Sequence, residues 1–391
     1  MSKSLLPFVR QNLFKKLRFI KLDRFLDFCE MVEGTKYIVD SVQDLAVDSC
    51  RRSVELSAES ESSVLAFFAS AIQIRQLRCT NPTLSHLVLS AAFASNLPSN
   101  SMVGELSIRV AASASTLSQE LRSIRRWKGL RKLVVAVEGD RVGEESVGGD
   151  FASMKHPNVR ELTLRVLGDT SRSGRSEEVA EFVKSFPKLK AIELTWRPEE
   201  FDGILDALNK DKMKSLKLIG PFGFSTAVDC TDALLRFQNL TSLSFHANIL
   251  TSNFVNKIGQ LTKLQRLALY PDSVPKALDI EKILTTTRPK SLKLLFLAHS
   301  TYTDADDDFF IDDDDFFIDD DGPFERDWDE EIPEWSTDFS CADAESLREL
   351  AKVEGVKLGP KFHAALEAQS RYDQFIVERE DHGYVECYDE Y

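Results

Sequence analysis

The sequence predicts an α/β fold assembled from one repeated strand–helix unit. Two observations carry that prediction. A short apolar motif returns at near-constant spacing, and a stretch with helical periodicity follows most copies. The motif is an apolar residue, two variable residues, an apolar residue (usually Leu), one variable residue and a further apolar residue. NVRELTLRV places Val159, Leu162 and Leu164 in it. PKLKAIELTW places Leu189, Ile192 and Leu194, and KMKSLKLIG places Met213, Leu216 and Leu218. NLTSLSFHA (Leu240, Leu243, Phe245), TKLQRLALY (Leu264, Leu267, Leu269) and RPKSLKLLFL (Pro289, Leu292, Leu294) continue the series. Earlier copies are SVQDLAVD (Val42, Leu45, Val47), TLSHLVLS (Leu84, Leu87, Leu89) and GLRKLVVAV (Leu130, Leu133, Val135). From Leu130 onward the copies start 29, 30, 24, 27, 24 and 25 residues apart.

Each element has a physical reason. In the L-x-L step the period of two turns both apolar side chains to one face of a short strand. Between strands, SEEVAEFVKSF (176–186), EFDGILDALNK (200–210), TDALLRF (231–237) and SNFVNKIGQL (252–261) set apolar residues three and four apart, the spacing of one helix face. A lone strand–helix unit leaves both apolar faces wet, and stacking the units covers them. The prediction is therefore a leucine-rich-repeat solenoid, with a curved parallel sheet on its concave side and helices on its convex side. The expected organisation is an N-terminal cap with the first strand over 1–60, the solenoid over 61–303, an insert over 304–343, and a closing repeat with a C-terminal helix over 344–391.

Three stretches resemble the leucine-rich part of fungal F-box proteins. SKSLLPFVRQNLFKKLRFIKLDRFLDFCEMVEGTKYIVDSVQDLAVD (2–48) resembles the segment that follows an F-box and leads into the first strand. The regular repeats resemble that family's repeats, and ESLRELAKVEGVKLG (345–359) its closing helix and final strand. The resemblance implies the client-recognising part of a ubiquitin-ligase substrate receptor. An F-box, which docks the adaptor of the ligase, is expected to precede such a segment, and here the sequence begins where that module would end. The chain as given is thus expected to bind a client, and to reach the adaptor only if an F-box is supplied upstream. A free-standing leucine-rich scaffold or inhibitor unrelated to ubiquitin ligases is the alternative.

The charge is uneven. The 391 residues carry a net charge of −14, but residues 304–345 hold twenty acids and one base, Arg326. The part before them is net basic, and the first 21 residues hold six Lys/Arg and no acid. DDDFFID occurs twice in tandem, at 306–312 and 313–319. Dense like charge resists packing, so this insert is expected to be a disordered loop. Its Phe309, Phe310, Phe316, Phe317, Trp328 and Trp335 suit it to basic, apolar grooves on partners. A slipped duplication in a tolerated surface loop is the simpler account, and folding back onto the chain's own basic surface is a third, resting on the charge count alone. PKFHAALEAQSRYDQFIVERE (360–380) reads as a helix entered through Pro360. The six cysteines show no CxxC pair and suggest no disulfide framework. No stretch has the length and apolarity of a signal peptide or membrane span, so a cytoplasmic or nuclear location, with no membrane partner, is expected.

No catalytic constellation stands out. GxxxxGK[ST], GxSxG and HExxH are all missing, and the six histidines are dispersed. GDRVGEESVGGD (139–150) is Gly-rich but lacks the Lys-Ser/Thr ending of a phosphate-binding loop, so it reads as a loop between repeats. The aspartate run lacks the Gly and closing Glu of a calcium loop. The chain is expected to be no enzyme and to need no cofactor or metal. Function is expected on the concave strand face, where the variable residues of x-L-x-L-x emerge. These are small and polar with charges of both signs, which suits a protein client and not the Lys/Arg stripe of a nucleic-acid surface. Arg165, Glu193, Trp196, Lys217, His246, Arg266, Tyr270 and Lys293 are the candidate contact residues. Arg, Tyr and Trp lead that group because they dominate interface hot spots.

Overall fold

The computed structural model describes residues 13–48, 56–90, 102–111, 124, 127–138, 156, 158–167, 176–220, 228–246, 249–269, 277–297 and 341–358. The basic residues 1–12, the 139–150 loop, Tyr270, residues 304–340 of the acidic insert and the helix expected at 360–380 lie outside them.

Twelve strands follow one another in sequence order in one sheet. They are β1 (Lys16–Phe19), β2 (Asp44–Val47), β3 (Gln76–Cys79), β4 (Glu105–Ala111), β5 (Lys132–Glu138) and β6 (Glu161–Leu167), then β7 (Ala191–Thr195), β8 (Ser215–Ile219), β9 (Ser242–His246), β10 (Arg266–Leu269), β11 (Leu294–Leu297) and β12 (Lys357–Leu358). Neighbours from β1 to β7 and from β9 to β12 pair in parallel without a bulge. A parallel sheet in unbroken sequence order, with helices in the connections, is the leucine-rich-repeat architecture. The register aligns the motif: Leu133, Leu162 and Ile192 stand side by side, as do Val135, Leu164 and Leu194. All six are buried. By contact the chain divides into two compact units, the first ending at Leu216 and the second starting at Lys217.

In the first unit the N-terminal repeats are aromatic. Helix α1 (Leu22–Met31) buries Leu22, Phe25, Phe28 and Cys29. Helix α2 (Lys36–Val39) follows it. Helix α3 (Ala58–Ser70) begins at Ser57, whose side chain accepts the Ser60 N–H, and crosses the expected 60/61 boundary. Phe25 lies edge-on to Phe19 and Phe67, with ring centroids 5.4 and 5.9 Å away, and 6.3 Å from Phe68. Such pairs each add about 0.5–1.5 kcal/mol beyond area burial. The glycine after α1, Gly34, takes φ +76°, a conformation other residues reach only with strain.

One expected repeat is corrected here. TLSHLVLS is not a strand: it lies in helix α4 (Pro82–Leu89). The Asn81 side chain accepts the Leu84 N–H at 3.0 Å and Pro82 occupies the first turn, a strong start signal. Leu84, Leu87 and Val88 then follow the helical three-and-four spacing, and all are buried. The strand of this repeat comes earlier, with Ile74, Leu77 and Cys79 as its motif, and β4 supplies a further copy in Val103, Leu106 and Ile108. Cys79 holds the last apolar position of the motif and packs as a small apolar residue. Further along come α5 (Ser176–Lys184) and, after a 3₁₀ turn at Pro198–Glu200, α6 (Phe201–Ala207). His156 is buried and its ring Nε2 lies 3.1 Å from the Trp127 carbonyl. The Asn158 N–H faces its Nδ1, which assigns the neutral form with the proton on Nε2.

In the second unit, α7 (Thr231–Leu234), α8 (Ser252–Lys257), α9 (Ala277–Thr285) and α10 (Cys341–Val353) fill the connections. Phe245 of β9 meets Phe254 of α8 edge-on at 5.2 Å. Asp229 gathers the first turns of α7 and α8: it accepts from the Thr231 N–H, the Thr231 and Thr251 hydroxyls and the Asn253 amide. Desolvation opposes the ionised carboxylate, but these hydrogen bonds prevail and hold it below the usual range. Gly259 has no room for a side chain, since a Cβ there would stand 2.8 Å from the Thr287 carbonyl oxygen. Arg288 pairs with Glu354 at 2.8 Å and ties α10 to the loop before β11. Gly355 ends that helix at φ +66°.

The last regular copy is also corrected. Leu267 pairs with Leu295 and Leu269 with Leu297, so the motif reads Leu292, Leu295, Leu297 rather than Pro289, Leu292, Leu294. Leu292 and Leu295 are buried, whereas Leu294 is half-exposed. With a side-chain period of two, such a slip moves every residue to the other face.

Candidate protein-binding surface

The strand pleat divides the sheet. The L-x-L residues face the helices, as Phe245 against Phe254 illustrates. The alternating residues emerge on the opposite face and stay half-buried, in the pattern seen along β7, β8 and β9.

In the first unit this face carries Thr163 and Arg165 from β6 and Glu193 and Thr195 from β7. Arg165 donates from Nε and Nη2 to Oε1 of Glu193, at 3.0 and 2.8 Å. Both side chains are 19% exposed, so two of the candidate residues neutralise each other. Lys132 likewise pairs with Glu105 of the neighbouring strand at 2.6 Å. Trp196 leaves the candidate surface altogether. It has the parity of Ile192 and Leu194, is 6% exposed, and donates its indole N–H to Glu200 at 2.7 Å. Period two carries it to the core side, where it is buried.

In the second unit the face carries Lys217 and Ile219 of β8, Ser242, Ser244 and His246 of β9, and Arg266 and Ala268 of β10. Lys217 and His246 are half-buried and Arg266 is exposed. Lys293 is displaced by the register correction: it precedes β11, exposed, and its neighbours Leu294 and Phe296 occupy the alternating face.

One part of this face escaped the sequence reading. Asp48, just past β2, accepts from Arg18 at 2.9 Å and lies 3.0 Å from Nε of Arg78. The register sets Arg18, Ala46 and Arg78 in a row, so one nearly buried carboxylate serves two cations from the flanking strands. Arg18 and Arg78 sit between apolar residues in KLRF and QLRC, and admitting Cys as apolar would have exposed the second of these strands.

Among the described residues, no group of three His, Cys, Asp or Glu could hold a metal ion. Burial, helped by the charges of Glu30 and Asp48, pushes the Cys29 and Cys79 thiols far up, so neither is a nucleophilic thiolate at neutral pH. No described helix is long and apolar enough to cross a membrane.

No family model matches the chain, and neither does any curated protein. Solved structures that the chain matches in part include the leucine-rich repeat-containing protein LegL7 from Legionella pneumophila. It is 14% identical, with 66% of this chain and 75% of that chain covered and a TM-score of 0.39. An internalin, InlF from Listeria monocytogenes, is also 14% identical, over 68% of this chain and 76% of that one, with a TM-score of 0.31. The fold assignment rests on strand order, register and the buried motif, which give this chain the leucine-rich-repeat solenoid fold.

Proposed function

We propose that this chain is a non-catalytic protein-binding module that takes a client on the alternating face of its strands. The observation that supports this reading is the division of residues along each strand. Apolar positions are spent on the core, while the opposite face presents a register-aligned mosaic of Ser, Thr, Lys, Arg, Glu and His. Protein interfaces use such mixed surfaces, with Arg and aromatic anchors near the centre. Lys217, His246 and Arg266 are the anchors in the second unit, with Tyr270 next along the sequence. An intracellular setting belongs to this reading and rests on the absence of a cysteine framework.

A finer reading makes the chain the client-recognising part of a ubiquitin-ligase receptor. What supports it is the resemblance of residues 2–48 and 345–359 to F-box leucine-rich proteins; a free-standing scaffold or inhibitor is the alternative. Affinity purification of the full chain with mass-spectrometric readout tests both levels. A client that co-purifies and is lost from a Lys217→Ala/Arg266→Ala variant of unchanged melting temperature is the expected result. Its retention by that variant would move the client site off this face. Co-purified adaptor and cullin would establish the ligase reading, and a client found without them would favour the scaffold.

A further inference from the structure

The residue that leads into each strand occupies one repeated position, just before the first aligned strand residue. From β1 to β11 these are Lys15, Gln43, Arg75, Gly104, Arg131, Arg160, Lys190, Lys214, Thr241, Gln265 and Lys293. Not one is acidic, in a chain with 63 acids against 49 bases. Four consecutive members in the first unit are cations: Arg131, Arg160, Lys190 and Lys214.

The backbone sets them in line. The Arg131 carbonyl accepts the N–H of Arg160 at 2.7 Å and of Glu161 at 3.1 Å. That of Arg160 accepts from Lys190 and Ala191, and that of Lys190 from Lys214 and Ser215, at the same two distances. Each carbonyl thus fixes the next cation one strand away. Strand spacing makes the row about 14 Å long, with a charge every ~4.8 Å. All four side chains are exposed. Lys128, Lys188 and Lys212, in the loops entering the same strands, are exposed too. These loops are held against one another: Asn158 donates to the Lys128 carbonyl at 2.8 Å and Lys212 to that of Pro187 at 3.0 Å. Exposed Glu161 and Asp211 are the acids beside the row in sequence.

We propose that this row is a second docking surface, separate from the strand face, for a short acidic segment of a partner protein. Its length matches four or five residues of extended peptide at about 3.3 Å each. The arginines offer planar forks to carboxylates. Nucleic acid fits less well. Single strands need aromatic stacking platforms, and among the described residues no exposed large apolar side chain lies on β5–β8 or in the loops entering them. A duplex would meet a chain of net charge −14 over its whole length, whereas a short peptide senses the field within roughly one Debye length, about 8 Å.

The test is fluorescence anisotropy on the full chain with a labelled ten-residue polyaspartate and a labelled ten-nucleotide oligothymidylate, at low and physiological salt. An Arg131→Gln/Arg160→Gln/Lys190→Gln/Lys214→Gln variant is compared with Lys36→Gln/Lys282→Gln/Arg348→Gln/Lys352→Gln, which removes the same charge elsewhere. The expected result is polyaspartate binding that weakens at least tenfold in the first variant, with unchanged melting, and less than twofold in the second. Equal loss in both would reduce the row to bulk electrostatics and overturn the proposal. So would no binding by the wild type, or tighter binding of the oligonucleotide. Failure here leaves the strand-face client untouched, since neither variant alters that face.

Discussion

The strands before β5 and those from β6 to β10 share one backbone plan and hold it by different means. From β6 to β10 the motif is Leu-rich, and apolar residues at one spacing, nearly all of them non-aromatic, fill its strand positions. Before β5 the motif is loose, and other devices do the same work. Five phenylalanines, Phe19, Phe25, Phe28, Phe67 and Phe68, pack together in edge-to-face and tilted pairs. Asp48 bridges two arginines. Ser85 of α4 donates to the Cys79 carbonyl at 2.9 Å and accepts the Arg109 N–H at 3.1 Å, stapling a helix to two strands. Repeat geometry therefore asks for a filled core and a satisfied backbone, not for leucine.

The sharpest test of this comparison is a pair of truncations. Phe25→Ala removes a fully buried ring with three aromatic neighbours, and Leu243→Ala removes a fully buried aliphatic from β9. Phe→Ala costs about 3–5 kcal/mol and Leu→Ala about 2–5 in a packed core. Urea unfolding of the full chain is expected to place Phe25→Ala about 1 kcal/mol above Leu243→Ala. Equal or reversed costs would break the claim that the aromatic cluster is the stronger local device.

Next in size is the buried carboxylate. Asp48→Asn leaves Arg18 and Arg78 without their countercharge and should cost about 1.5–3 kcal/mol, the range for hydrogen bonds to charged groups. Glu193→Gln breaks the Arg165 pair, whose carboxylate is 19% exposed against 9% for Asp48 and serves one cation in place of two, and should cost less than about 1 kcal/mol. A double-mutant cycle with Arg78→Gln sharpens this, because the coupling should survive 0.5 M salt at Asp48 if burial is what strengthens it.

The smallest expected effect is a pH dependence. Burial lowers the His156 pKa from its ordinary 6.5, more than its carbonyl hydrogen bonds raise it. The unfolded chain then binds a proton more readily than the folded one below pH 6.5. His156 therefore contributes stability in full above that pH, and its contribution declines as the pH falls towards the lower folded value. Melting followed from pH 7.5 to 5 should show this decline, and His156→Gln should flatten it. An unchanged slope in the variant would remove His156 from the account.

The regular repeats were legible because their signal is local. L-x-L parity and helical spacing need only neighbouring residues, and β6 through β10 and the intervening helices follow from them. The misreadings have equally local causes. TLSHLVLS satisfies both the strand motif and the helix spacing, and the Asn81-Pro82 start decides for the helix. In SLKLLFL adjacent leucines offer two frames, and pairing with β10 selects one. Trp196 was sought on the surface for its chemistry, although its parity with Ile192 and Leu194 already pointed inward. The Asp48 bridge was not legible at all, since it joins residues about thirty apart whose strands carried the weakest motif.

By itself, the sequence determined that this protein is a stack of strand–helix units, which of its regular positions form the core, and where its charge is concentrated. Those properties follow from period, composition and short-range spacing. The tertiary structure decided which frame each strand adopts, which charges cancel across strands, and which stand in line. Arg131, Arg160, Lys190 and Lys214 are separated in sequence by a full repeat and become neighbours only through carbonyls that each accept two N–H groups. Such adjacency is a property of paired strands, and no stretch of chain within one repeat encodes it.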